Sequence, residues 1–338
     1  MGEYYTMCVF SAAVDVHGVA PQTGALRSEG TELMPAAIRD AVLIVNPLAG
    51  RGRAIRQLDE ARRILSGAGM ETDLQQTTGP GEAESLARRA AAKSRQLVIV
   101  CGGDGTVNEA VNGLAGCQVP LAVLPAGTAN VLAKELSIPW NLPGAARWLV
   151  GAKFRRIALG LAIPEASSGA PRYFMSVAGV GADAALVASV DPKLKNRAGI
   201  LAYWHEGLRQ LARYDFPWFR VKASERTMDA TLVVVGRTKH YGGPFRITTE
   251  AGLLQPEFEL AVVTTASPAR YISYLPLLWA GQLRRARYVK FWKTACLECE
   301  ALDSRPIFLQ VDGEPHGRLP AQFKIVPDAL TLAMPSSM

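Results

Sequence analysis

Three times in the first half of this chain a short apolar run ends in a glycine-bearing loop that leads directly into a helical pattern. The runs are AVLIV (41–45), LVIVC (97–101) and PLAVL (120–124); the loops are NPLAGRGR (46–53), GGDGT (102–106) and PAGTAN (125–130). An apolar strand that must reach a parallel neighbour through a helix predicts βαβ units and a doubly wound α/β sheet. Helices are expected over Ala54–Ser66, over Glu82–Lys93, and after the second and third loops as far as Leu114 and Leu136, with another strand over Met70–Gln76. In such sheets ligands bind at the carboxyl ends of the strands, where all three loops fall.

After Pro139-Trp140-Asn141-Leu142-Pro143 the pattern changes. Short strand-like runs follow at Arg155–Leu161, Tyr173–Val177, Asp229–Val235, Phe258–Thr264, Phe308–Val311 and Phe323–Val326, with one helical insertion over Ala182–Tyr214. This predicts a second, mostly antiparallel β domain. A length of 338 residues suits two cores rather than one. The expected divisions are an extension over 1–38, an α/β domain over 39–145, a β-sandwich over 146–330, and a tail over 331–338 that returns to the first domain. Met34 is a candidate start, and Met1-Gly2 with Thr6 formally matches a myristoylation pattern.

Composition removes several classes. Hydrophobic residues at 49% and charged residues at 20% describe a globular chain. No apolar run reaches the ~18 residues of a membrane span, and no basic region opens a secretory signal. Five cysteines, few and odd in number, fit a reducing cytoplasm. A net charge of +7 asks for an acidic partner, whether nucleotide, nucleic acid or anionic membrane. Nucleic acid is set aside because no RNP, zinc or helix-turn-helix signature accompanies the charge. Cys296-Leu297-Glu298-Cys299 is a single pair, and His17, His205, His240 and His316 show no ligand spacing, so no zinc site is expected. No GxSxG elbow, no lysine-bearing GxxxxGK(S/T) loop and no GxGxxG fingerprint occurs.

The loops themselves carry chemistry. Glycines let backbone amides approach a phosphate, and a following helix N-terminus adds a favourable dipole. The candidates are Asn46 and Gly50 in the first loop; Gly102, Gly103, Asp104, Gly105 and Thr106 in the second, with Glu109 on its helix; and Gly127, Thr128 and Asn130 in the third. Each loop alone also reads as a capped strand-to-helix turn.

Together, NPLAGRG (46–52), GGDGTVNEAVNGL (102–114), LPAGTANVLAKEL (124–136), GVGADAALV (179–187) and QVDGEP (310–315) resemble the diacylglycerol kinase catalytic-domain family, which includes bacterial lipid kinases and the sphingosine and ceramide kinases. The resemblance covers about residues 40–335. It implies a nucleotide domain like that of NAD kinases and phosphofructokinases, a C-terminal β-sandwich, and a site in the cleft between them. It implies ATP and Mg²⁺ as cofactors and the hydroxyl of diacylglycerol or a related lipid, such as a sphingoid base or ceramide, as acceptor. Asn46, Gly103, Thr106 and Asn130 would line the ATP site, with Thr77 or Thr78 facing phosphates; these threonines read equally as turn residues. Asp312 would activate the lipid hydroxyl, Glu314 would support it, and Asp104 would stand near the catalytic Mg²⁺. Relatives also use the position of Asp104 as base, so the division stays open, and Asp-Gly at 312–313 also reads as a plain hairpin turn. Asp183 would contact the lipid head group or cap the following helix.

Two departures stand out. Relatives often carry an acidic stretch, tied to a structural Mg²⁺, where this chain has Ala251-Gly252-Leu253-Leu254-Gln255-Pro256-Glu257. Val131 stands where many bacterial relatives have Asp. Separately, no acid occurs between Glu259 and Glu298, an interval holding Arg270, Arg284, Arg285, Arg287, Lys290 and Lys293 among Tyr271, Tyr274, Trp279, Tyr288, Phe291 and Trp292. That interval reads either as an interface with anionic lipid or as a sandwich with its aromatics inside. A second basic stretch, Lys193–Arg197, would flank the same entrance. The expectation is a cytoplasmic protein, peripheral at the inner face of the membrane, with a homodimer possible. The alternatives are a non-catalytic nucleotide- and lipid-binding regulator and a kinase of a soluble substrate of the NAD-kinase type.

Overall fold

The computed structural model describes residues 38–52, 55–189, 214–242 and 245–336. The expected extension over 1–38 (its Ile38 apart), the myristoylation pattern, Met34, the Lys193–Arg197 stretch and most of the helical insertion lie outside these residues. The strands are β1 (Asp40–Val45), β2 (Glu71–Gln76), β3 (Leu97–Gly102), β4 (Leu121–Pro125), β5 (Lys153–Pro164), β6 (Arg172–Phe174), β7 (Val177–Gly181), β8 (Phe219–Ala223), β9 (Arg226–Ala230) and β10 (Leu232–Gly236). They continue with β11 (His240–Gly242), β12 (Phe245–Arg246), β13 (Phe258–Val263), β14 (Val289–Thr294), β15 (Cys296–Ala301), β16 (Phe308–Val311), β17 (Glu314–Arg318) and β18 (Ala321–Met334). The helices used below are α1 (Leu58–Gly67), α2 (Glu82–Ala92), α3 (Asp104–Leu114), α4 (Val131–Glu135), α5 (Leu142–Val150), α6 (Ala182–Ser189) and α7 (Pro268–Trp279).

Strands β2, β1, β3 and β4 run parallel in that order. β1 and β3 are buried along nearly their whole length, which is why they read as unbroken apolar runs. The doubly wound half is therefore as expected, with α1 starting later than Ala54, behind a short 3₁₀ turn over Ile55–Gln57. The second half is antiparallel: a six-stranded sheet ordered β14-β13-β10-β7-β16-β17 faces a layer formed by β8, β9, β15 and the outer parts of β5 and β18. Phe174, Phe219, Phe258 and Phe323 are fully buried between the two.

Sequence periodicity does not reveal the length of β18. Only Phe323–Val326 reads as a strand, yet the element spans 14 residues, broken by an irregularity between Val326 and Leu330. Its first part pairs with β15 and β5 in the sandwich, and its last part pairs with β5 and touches β4, Leu332 opposite Leu121. One continuous sheet thus runs from the α/β half into the sandwich. β5 lends Phe154, Ile157 and Leu159 to the first core and Ala162 to the second.

The loop that lacks the relatives' acidic stretch is held another way. Arg237 is fully buried. Its guanidinium donates to the carbonyls of Ala158 (2.8 Å), Leu253 (2.8 Å), Glu257 (3.1 Å) and Gln255. Burial lowers its pKa to about 10, so it stays cationic at neutral pH. A side-chain cation already occupies the carbonyl cage, so the residues present do not fit a structural metal in this loop.

Candidate functional site

The three glycine loops meet at the carboxyl ends of β1, β3 and β4. Asn46 accepts from the Leu48 amide (3.0 Å) and donates to Thr106 Oγ1 (3.0 Å), joining the first loop to the second. The second and third loops approach most closely at glycine: a Cβ on Gly127 would stand 2.5 Å from Gly103 Cα. Gly50, at φ +55°, is packed likewise, since a Cβ there would stand 2.3 Å from the Ala126 carbonyl oxygen. Asn130 adopts a left-handed φ of 46° and closes its own loop, accepting from the Gly127 amide and donating to the Gly127 carbonyl, both at 2.9 Å. Gly127→Ala is expected to force the loops apart and lower kcat/KM about 10²-fold, as misplacements near 1 Å do; steady-state kinetics beside a thermal melt would show it.

Above the loops lies a cleft of roughly 390 Å³, lined by Asn46, Thr77, Thr78, Gly103, Gly105, Thr106, Glu109, Gly127 and Glu314, with Leu48, Ala49, Gly79 and Pro80 at its margin. No lysine or arginine is among these residues. Orphan amides in the first turn of α3 add positive potential at the cleft. Of the residues expected to bind nucleotide, Gly50, Gly102, Thr128 and Asn130 are not among this lining: Gly102 and Asn130 are buried in the loops, Gly50 is half-buried and Thr128 is exposed. Glu109 does two things: it lines the cleft, and it accepts from the Gly81 (2.8 Å) and Ala83 (3.1 Å) amides at the start of α2. Thr78 donates its amide (2.5 Å) and hydroxyl (2.6 Å) to Glu82.

The structure places the three expected carboxylates in different surroundings. Asp104 accepts from the Val131 amide (2.6 Å) at the head of α4, and its charge acts on Lys134. Asp104 thereby ties the second loop to the helix after the third. Asp312 and Gly313 form the two-residue turn between β16 and β17, at φ 47° and 86°. A type I′ turn needs that geometry, so the plain hairpin reading of Asp-Gly holds. The Asp312 carboxylate accepts from the amides of Met175 (3.1 Å), Ser176 (3.0 Å) and Val177 (2.9 Å) and from Asn108 Nδ2 (2.7 Å). These four bonds fill its acceptor capacity. Burial raises its pKa, and the same bonds oppose that rise.

Glu314 is the acidic side chain that the turn sends into the cleft. Its Oε1 lies over the first turn of α3, 2.6 Å from where a Cβ on Gly105 would be. Arg172 stands 3.9 Å from its Oε2. Burial pushes the Glu314 carboxyl up, the charges of Glu109 and Asp312 add to the rise, and Arg172 opposes it.

A second set of residues, not singled out by the sequence, joins the two halves. Asn108 Oδ1 accepts from Arg172 Nε (2.8 Å), and Asn108 Nδ2 also reaches the Tyr173 carbonyl (3.0 Å). Asn112 pairs with the Tyr173 backbone through its amide group, accepting at 2.9 Å and donating at 3.0 Å. Asn108 and Asn112 stand four residues apart on one face of α3, which was the available signal.

Asp183 does not open onto the cleft. It is buried within α6, where Gln310 Nε2 donates to Oδ2 (2.9 Å) and the Tyr241 hydroxyl donates to Oδ1. Gln310 Oε1 in turn accepts from the Gly313 amide (2.7 Å), so Asp183 braces the turn that carries Glu314. It caps no helix here. Burial raises its pKa to about 6. The folded state therefore binds the proton more tightly than the unfolded chain, and Asp183's contribution to stability falls as pH rises from about 4 to about 6. Asp183→Asn is expected to remove that slope from the urea midpoint measured against pH.

The arrangement has known relatives. The family model described as "Diacylglycerol kinase catalytic domain" matches residues 40–162, and the model described as "YegS C-terminal NAD kinase beta sandwich-like domain" matches residues 176–334. A diacylglycerol kinase of Bacillus subtilis (strain 168) is 30% identical over 296 residues, covering 85% of this chain and 93% of that protein. The chain belongs to the diacylglycerol kinase family. A second member, from Staphylococcus epidermidis (strain ATCC 12228 / FDA PCI 1200), is 29% identical over 84% of this chain and 88% of its own. The crystal structure of a diacylglycerol kinase from Bacillus anthracis str. Sterne superposes with a TM-score of 0.70 at 22% identity, over 88% of this chain and 98% of that one, and shows that the fold is shared. As a member of the diacylglycerol kinase family the chain is a kinase. The cleft, its glycine loops and Glu314 all fall within the matched regions.

Proposed function

We propose that this protein transfers the γ-phosphate of ATP to the hydroxyl of diacylglycerol or a closely related lipid, and that Glu314 is the general base. The observation that carries the reading is the cleft itself: glycine amides and hydroxyls from three loops on one side, and one carboxylate brought in from the sandwich half on the other. Phosphoryl transfer requires mainly positioning and charge neutralisation, with a base to take the hydroxyl proton. The first turn of α3 and the Gly103–Gly127 contact hold the phosphates; Asn46 and Thr106 fix the loops. Glu314, with its pKa raised by burial and nearby carboxylates, is a stronger proton acceptor than an ordinary carboxylate and faces the first turn of α3 across the cleft. Asp312, the base expected from the sequence, becomes the residue that positions it.

Among the described residues no group of three or more His, Cys, Asp or Glu converges to hold a metal by itself. Mg²⁺ bound with a nucleotide needs only one or two carboxylates beside the phosphates. Glu109 lines the cleft and keeps a free lone pair on each oxygen for that role, which leaves Glu314 to take the proton. Mg²⁺ would supply neutralisation of phosphate charge.

Purified protein with labelled ATP, Mg²⁺ and a panel of diacylglycerol, sphingoid base, ceramide and NAD tests the reading directly. Labelled phosphatidic acid is the expected product. A product from NAD alone, or none at all, would overturn it.

A further inference from the structure

Helix α7 is apolar on two faces. Tyr271 and Tyr274 point inward and are buried against the outer face of the six-stranded sheet, in a cluster that also contains Ala182 and Tyr241. Tyr271 is fixed further by Thr231, whose hydroxyl lies 2.8 Å from its own. The opposite face carries Ile272 (44% exposed), Leu275, Pro276 and Trp279 (74% exposed). Their spacing of three, four and seven residues makes one continuous stripe. A globular surface rarely leaves such a stripe uncovered.

What surrounds the stripe decides what covers it. Arg270, in the first turn, lies 4.1 Å from the Tyr288 ring centroid, and Arg287 stacks on the same ring. Gly281, just beyond the helix, packs beside Arg246, and Arg285 is exposed in the turn that follows. Arg284 belongs elsewhere, since it pairs with Glu250 and buried Glu259. The helix itself carries no acid. A second copy of this chain would set this cationic rim against its own counterpart, a repulsive arrangement. An anionic bilayer offers both an apolar interior for Ile272 and Trp279 and negative head groups for the rim.

We infer that α7 docks the protein on an anionic bilayer, with Ile272, Leu275, Pro276 and Trp279 entering the interface and Arg246, Arg270, Arg285 and Arg287 meeting the head groups. The inference narrows the basic interval to one helix and its rim. Most of the interval's aromatics pack inward. It rests on the lipid-kinase reading for the choice of a bilayer as partner. It also gives docking a route to the site. The inner face of α7 shares its cluster with Tyr241, which donates to Asp183, and Asp183 braces the turn holding Glu314 through Gln310.

The test is sedimentation of the full chain with phosphatidylcholine vesicles and with vesicles that also contain phosphatidylglycerol, without nucleotide. The wild type is expected to partition at least tenfold more strongly onto the anionic vesicles. Ile272→Ser with Trp279→Ser is expected to lower that partition about tenfold or more, and Arg246→Glu with Arg285→Glu to lower it on anionic vesicles alone. Both pairs should keep the wild-type melting temperature and its turnover on a short-chain diacylglycerol dissolved as monomer. Failure of the wild type to bind anionic vesicles, or undiminished binding by the first pair, would overturn the inference. So would a concentration-dependent dimer that the first pair abolishes. Vesicle binding without any lipid product would defeat the kinase reading and leave docking in place; turnover on monomeric substrate without vesicle binding would do the reverse.

Discussion

Glu314→Gln is expected to lower kcat by about 10²–10⁴, the usual worth of a positioned base, while leaving nucleotide affinity and stability close to wild type. The substitution keeps the shape of the side chain and breaks no hydrogen bond that the fold depends on. Asp312→Asn should behave in the opposite way. It places an amide group against the amides of Met175, Ser176 and Val177 and loses charge-assisted bonds, at a cost of about 1–3 kcal/mol in urea unfolding. Its loss of activity would follow from misplacing Glu314. The pH profile separates base from brace. With Glu314 as base, kcat rises with pH through its raised pKa. Arg172→Leu removes the cation that opposes the rise and should move the profile to higher pH. A wild-type profile in Glu314→Gln would return the base role to Asp312.

Arg237→Leu is expected to destabilise the protein by about 3–5 kcal/mol, because four carbonyl groups lose their donors at once in a buried site. Arg237→Lys should recover only part of this, since an ammonium group cannot span the fork that the guanidinium fills. Because the cation is part of the chain, the thermal melt of the protein without nucleotide should not change when EDTA replaces Mg²⁺. A melt that shifts upward with Mg²⁺ alone would contradict the filled cage. The loop over 251–257 packs Leu253 into the first core, so the loss should also reach the junction of the two halves.

The parts of this molecule that could be read from the sequence are those where backbone geometry restricts residue type. Gly50 and Gly127 stand where any side chain would collide, and Asn46, Thr106 and the strand-end positions follow from the same loops. The division of labour proposed for Asp312 and Glu314 could not be read that way. It depends on three consecutive amides of Met175, Ser176 and Val177 turning toward Asp312, and nothing in those residue types records that direction. Asp183 is similar: buried next to Gln310 and Tyr241, it depends on partners 127 and 58 positions away. The basic aromatic interval was legible as a composition and not as a surface, because strand pairing decides which aromatics face inward. Arg237 gave no signal, since a single arginine beside a strand is ordinarily solvated.

The placement of β18 bears on how the enzyme comes into being during synthesis. The strand that completes the sheet lies next to β4, in a part of the sheet made much earlier, and pairs along β5 across both halves. While the chain is still growing, the nucleotide loops rest on a sheet with a missing edge. The half of the molecule that carries the glycine loops therefore reaches its final rigidity only after the sandwich half has been made.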